Sequence, residues 1–216
     1  MYHKKDHRFQ LARHRMVNEI HERGGIYSRN ILSAIAKAPR HLFVSEALQY
    51  RAYEDTPLPI GMGQMISSPS VIAKMIQHLN LTGSEKILEI GTGTGYQAAV
   101  ISEITSEVVV TIERIEELYK RARELLLIKL GYRNINLIHS DNFSKIVGLY
   151  DSIIVAAGAK ALPVELLNKL DDNGTMIIPI KDGEGSQRIK RYFKKNDGTI
   201  LEDDLGGAQF VPLIGA

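Results

Sequence analysis

Three glycines at alternate positions, Gly91, Gly93 and Gly95, follow an apolar run holding a single acid, Lys86-Ile87-Leu88-Glu89-Ile90. Such a run suits a strand buried on both faces of a parallel sheet. Tyr96 to Ile104, just beyond, has helix-forming composition with apolar Ala98, Ala99, Val100 and Ile101. The glycines therefore fall on a strand-to-helix turn, where missing side chains let a ligand approach the backbone. A phosphate-cradling dinucleotide turn would read G-x-G-x-x-G, but its third glycine place is Tyr96 here.

A second acid, Glu113, ends the next apolar run, Val108-Val109-Val110-Thr111-Ile112. A carboxylate at a strand end accepts hydrogen bonds from both hydroxyls of a ribose. A ribose acceptor beside a glycine turn not built for phosphate points to S-adenosyl-L-methionine, which carries a ribose diol and a methionine-like tail. The pattern reads as the cofactor loop of a methyltransferase that uses it.

From Lys86 onward strand and helix alternate. Strands are expected at Lys86–Ile90, Val108–Glu113, Ile135–His139, Asp151–Ala156 and Thr175–Ile180, with helices at Glu116–Leu130 and Pro163–Leu170. A turn over Lys181–Gly185, an antiparallel strand at Arg188–Lys194 and a last strand near Gln209–Leu213 complete the sheet. The fold class is α/β: a doubly wound, Rossmann-like methyltransferase sheet of about seven strands, mostly parallel with antiparallel C-terminal strands. N-terminal helices precede it. Phe9, Ala12, Met16, Val17 and Ile20 form one helical stripe ending at Gly24-Gly25. Ser28 is placed to cap a second helix ending before Pro39, and a third follows around Ser45 to Tyr50. Residues 51–67 lack periodicity and read as a long functional loop, after which Ser68-Pro69 opens a helix bearing Ile72, Met75, Ile76 and Leu79. The chain is expected to be a single methyltransferase domain. Residues 1–67 would supply helices and a substrate loop, 68–180 the cofactor-binding core and 181–216 the C-terminal strands.

The 216 residues suffice for one sizeable core, and 24% charge with 44% hydrophobic residues argues against disorder. With no cysteine, disulfide scaffolds, thiolate metal sites and cysteine nucleophiles are excluded. His3 and His7 are four apart but lack further ligands, so no metal site is expected. No run approaches a membrane span and no signal core leads the chain, so a cytoplasmic protein without membrane partners is expected. Nucleic acid is a weak candidate, since the five basic residues of Arg188–Lys195 are interrupted by Ile189, Tyr192 and Phe193 as on a half-exposed strand.

The long loop is more specific than the glycine turn. The segments Pro39-Arg40-His41-Leu42-Phe43-Val44, Ala52-Tyr53-Glu54-Asp55-Thr56-Pro57-Leu58-Pro59-Ile60-Gly61 and Gly63-Gln64-Met65-Ile66-Ser67-Ser68-Pro69 resemble the protein-L-isoaspartate O-methyltransferase family. So do Leu88 to Tyr96, Thr111 to Arg114, Tyr150 to Val155 and Phe210 to Gly215, in order along nearly the whole chain. The resemblance implies methylation of the free α-carboxylate of L-isoaspartyl residues in damaged proteins or peptides, with S-adenosyl-L-methionine as cofactor. The ester then closes to a succinimide whose hydrolysis restores some aspartate.

By that resemblance Ser67 matches the active-site serine, and Val211 and Pro212 match the substrate-cleft wall. Gly91, Gly93, Glu113 and Asp141 match cofactor positions. Asp55 and Ile66 are expected beside substrate, and Glu89, Thr92, Gly95 and Asn142 beside cofactor. Each has a plainer reading as well: Ser67 as a cap ahead of Pro69, Asp55 and Asp141 as turn formers, and Glu89 as an organiser of the loop. The chain departs from the family at Met62, Met65 and Asn142, where a polar or aromatic residue, a threonine and a glycine are usual. Two other functions stay open at this point: a methyltransferase of the same fold acting on RNA or a small molecule, and a non-catalytic paralogue that binds cofactor or damaged protein.

Overall fold

The computed structural model describes residues 2–215 apart from Glu184, with side chains from residue 8 onward. The side chains of His3 and His7, and Glu184 of the expected turn, lie outside the described residues. Helix α1 spans Tyr2–Gly24 and α2 spans Arg29–Lys37. Met16 and Ile20 of α1 and Ile31, Ala34 and Ile35 of α2 are buried together, as the apolar stripes require. Ser28 stands at the N-cap of α2 without a side-chain cap bond. Two 3-10 turns follow, Arg40–Phe43 and Glu46–Arg51, the second where a further helix was expected.

The segment expected as a loop contains a hairpin. Strands β1, Leu58–Gly61, and β2, Gln64–Ile66, pair antiparallel, with Leu58 opposite Ile66. Their two-residue connection places Met62 at φ 54° and Gly63 at φ 67°, the left-handed pair that matches strand twist in a tight hairpin. Pro57 and Pro59 hide the strand pattern, because proline is tolerated only at such edges. Helix α3 then runs Pro69–Gln77 with proline in its first turn.

The central sheet contains β3 (Ile87–Ile90), β4 (Val109–Glu113), β5 (Ile135–His139), β6 (Tyr150–Val155), β7 (Leu170–Lys181), β8 (Gln187–Lys194) and β9 (Ile200–Ala208). Their spatial order is β5-β4-β3-β6-β7-β8-β9, parallel up to β7 and antiparallel beyond. Helices α4 (Tyr96–Ser102), α5 (Glu116–Arg123) and α6 (Val164–Leu167) connect strands. Alternation divides the strand side chains. Ile87, Val109 and Ile154 face α4 and the N-terminal helices, while Leu88, Val110 and Ile153 face the cluster holding Phe143, Ile146 and Leu166.

Three expectations are corrected. The helix expected to Leu130 becomes π-helical over Glu124–Lys129, with Leu130 donating to the Leu125 carbonyl at 2.9 Å. Helix α6 is a single turn, because Leu170 already belongs to β7. The last strand is β9, whereas Gln209–Leu213 forms a strap held by an isolated bridge between Pro212 and Gly158, just beyond β6. Hydropathy masks β9 because Glu202, Asp203 and Asp204 interrupt it. Across the pair with β8 these acids meet Lys190 at 2.8 Å, Arg191 at 2.9 Å and Arg188 at 2.5 Å. Opposite charges on paired strands favour that register. They also account for most of the basic run.

Candidate active site

In an open sheet of this kind a crevice forms at the strand carboxyl ends, where the order reverses on either side of the first strand. Strand β3 lies between β4 and β6, and the cavity here opens over the ends of all three. One half is lined by Gly91, Thr92, Gly93, Glu113, Asp141 and Asn142. Its other half contains Ile66 and Ser67, following β2, and Val211 and Pro212 of the strap.

The glycine turn is held by its own backbone. Gly91 and Thr92 both donate to the Ile112 carbonyl, at 2.9 and 3.1 Å, and the Thr92 hydroxyl meets that of Thr111 at 2.6 Å. Gly93 donates its N–H to Glu113 Oε2 at 2.8 Å, and Ile115 donates to Oε1 at 2.9 Å. A carboxylate has about four acceptor positions, so about two remain on Glu113 after these bonds. Those spare positions fit the two hydroxyls of a ribose, and the residues present therefore suit an adenosyl cofactor.

Three expected site residues lie outside the cavity lining. Gly95 has φ 86°, and a Cβ there would stand 2.5 Å from Leu126 Cδ1, so contact with the π-helical turn explains that glycine. Glu89 is fully buried beneath the turn, beside Thr111 on the neighbouring strand. Its carboxyl accepts from Thr111 Oγ1 at 2.5 Å and from Gln97 Nε2 at 3.0 Å. Burial pushes that carboxyl up to about 8 against the pull of the two donors, and Glu113 nearby adds to the rise. Asp55 accepts the Ser70 N–H at 2.9 Å and so caps α3, supplying the bond that Ser68 at the N-cap does not make.

The strap is tied in place. Gly158 donates to Val211 and Leu213 to Gly158, each at 2.8 Å, and the Gln187 amide brackets Phe210 with bonds of 3.0 and 2.7 Å. At its end Gly215 presses on the loop after β5: a Cβ at its φ of 93° would lie 2.2 Å from the Asp141 carbonyl oxygen. The site thus joins the β1–β2 hairpin, the glycine turn and the strap.

Arg40 is the residue that sequence reasoning missed. It is wholly buried, donates Nη2–H to the Ser67 carbonyl at 2.7 Å, and lies 4.8 Å over the Tyr96 ring. Burial lowers its guanidinium from the ordinary value, opposed by Tyr96, Asp55 and Tyr53. The available signal was a charge two residues ahead of the apolar run Leu42-Phe43-Val44, next to a histidine. That neighbour, His41, meets the Tyr53 hydroxyl at 2.7 Å and stacks on Phe9 at 4.0 Å, a structural role.

A mixed seven-stranded sheet with a glycine turn after β3 and an acid ending β4 is the architecture of a Rossmann-like S-adenosylmethionine-dependent methyltransferase. A family model, Protein-L-isoaspartate(D-aspartate) O-methyltransferase, matches residues 11–216. The chain belongs to that family. It is 43% identical to protein-L-isoaspartate O-methyltransferase 1 of Pelobacter propionicus, covering 96% of this chain and 97% of the relative. The Ignicoccus hospitalis protein-L-isoaspartate O-methyltransferase is 42% identical over 92% of this chain and 95% of its own. Among solved structures, the Plasmodium falciparum beta-aspartate methyltransferase in complex with S-adenosyl-L-homocysteine superposes with a TM-score of 0.82 at 25% identity, over 94% of this chain and 99% of that one.

Proposed function

We propose that the protein transfers a methyl group from S-adenosyl-L-methionine to the α-carboxylate of L-isoaspartyl residues in damaged proteins or peptides of the cytoplasm. The observation that carries this reading is a cavity bounded on one side by the glycine turn and Glu113 and on the other by Ser67 and the strap. We also read the chain as one catalytic domain, since the N-terminal helices share a buried cluster with α4.

When bound between the glycine turn and Glu113, the cofactor would supply an electrophilic methyl on a sulfonium, and the carbon–sulfur electron pair would stay with sulfur as a neutral thioether once the carboxylate became an ester. An α-carboxyl titrates near ~3.5, so the attacking oxygen is already ionised at neutral pH and no general base is needed. What the chain contributes is alignment and exclusion of water. Ser67 donates its hydroxyl to the carboxylate, Ile66, Val211 and Pro212 form the dry wall beside it, and Glu113 holds the ribose. Asp141 and Asn142 border the adenine. Asp55 shapes the substrate side indirectly, through α3.

Damaged protein is favoured over RNA because the basic residues of β8 are paired with acids of β9. The test is methylation of an isoaspartyl peptide, its normal aspartyl counterpart and bulk RNA by the purified protein. Only the first should accept label. Labelling of RNA alone, or binding without any transfer, would replace this reading by one of the other two.

A further inference from the structure

Arg40 occupies an unusual position for a guanidinium. It is fully buried, yet among the described residues it forms no ion pair, and Nε and Nη1 make no hydrogen bond there. The Tyr96 hydroxyl beneath it is likewise buried without a partner. Burying a charge this way is unfavourable unless geometry compensates. Two contacts of Arg40 reach residues that line the cavity: the Ser67 carbonyl, just after β2, and the face of Tyr96, the first residue of α4. A planar fork satisfies both at once. An ammonium on a flexible stem has no such plane.

We propose that Arg40 is the positioning residue of this site, fixing the Ser67 peptide relative to the cofactor turn so that the serine hydroxyl and the methyl donor stay aligned. The inference rests on the reading of Ser67 as the donor to the substrate carboxylate. Arg40 acts through Ser67 and does not touch substrate. Its effect therefore depends on the serine hydroxyl, whereas a packing residue would act whether or not that hydroxyl is present.

The experiment is a double-mutant cycle of parent, Arg40→Lys, Ser67→Ala and the double variant, read as kcat and KM on an isoaspartyl peptide. S-adenosylhomocysteine affinity and melting temperature are followed alongside. Arg40→Lys should lower kcat by about ten- to a hundredfold in the parent, as misplacement of a reacting group does. Cofactor-product affinity should stay within about twofold, because the Glu113 contacts are untouched. In the Ser67→Ala background the same substitution should change kcat by less than about threefold. Equal losses in both backgrounds, or no loss in the parent, would overturn the inference while leaving the Ser67 reading intact. Full activity of Ser67→Ala alone would overturn that reading, and this inference with it. Should Arg40→Lys fail to fold, Arg40→Gln, which keeps an N–H for the Ser67 carbonyl, enters the same cycle under the same criteria. Failure of both to fold would mark Arg40 as purely structural.

Discussion

Glu113 shows how much a single side chain organises in this fold. Its two oxygens fix the backbone at Gly93 and Ile115 and still leave acceptors directed at the cavity. Glu113→Ala should weaken S-adenosylmethionine binding by about 1.5–3 kcal/mol, the range for hydrogen bonds to a charged group. That is roughly a ten- to hundredfold rise in Kd by calorimetry. Unchanged affinity would remove Glu113 from the ribose position. At this scale the sequence was informative where chemistry is local. A glycine turn and a strand-end acid declare themselves by type and spacing. Arg40 and Gly215 do not, because their roles come from atoms distant in the chain: Ser67 and Tyr96 for one, the Asp141 carbonyl for the other.

At the scale of elements, the β1–β2 hairpin carries both methionines expected to bear on substrate preference. Met62 in its turn and Met65 in β2 are 49% and 44% exposed, and Met65 lines the cavity together with Ser67. Methionine offers flexible apolar contact and no hydrogen-bond donor. Isoaspartyl peptides with apolar residues flanking the damage should therefore be preferred over polar ones, by at most about tenfold for a half-exposed contact. Met65→Thr should narrow that preference while keeping or raising turnover. A peptide panel assayed with both proteins decides it, and an identical flanking preference in the two would take Met65 out of substrate recognition. The hairpin also shows why a loop was expected: Pro57, Pro59, Gly61 and Gly63 break the alternation that marks a strand.

For the molecule as a whole, Glu89 links cofactor turn and stability. Its folded value of about 8 lies above the ordinary 4.5, so the folded state holds a proton that the unfolded state releases. The sign follows: its contribution is complete below about 4.5 and declines as pH rises through about 8. The parent's melting temperature should fall across that interval more than that of Glu89→Gln, with about 2–4 °C for each kcal/mol at this chain length. Parallel pH profiles for the two proteins would show that Glu89 is ionised in the folded state.

Sequence by itself determined the class of fold, the position of the glycine turn and the family. Those rest on short-range patterns: buried parallel runs, glycines at a strand end, and segments in family order. The edge of the sheet was decided by tertiary structure. β9 is held by charges on β8, and no hydropathy pattern of its own reveals it. Tertiary structure also moved Gly95, Glu89 and Asp55 away from direct contact with the cavity, by packing Leu126, Thr111 and Ser70 against them. The physical reason is common to these cases. A residue's type fixes what it can donate, accept or bury, but which partner it meets depends on chain segments that only folding brings together.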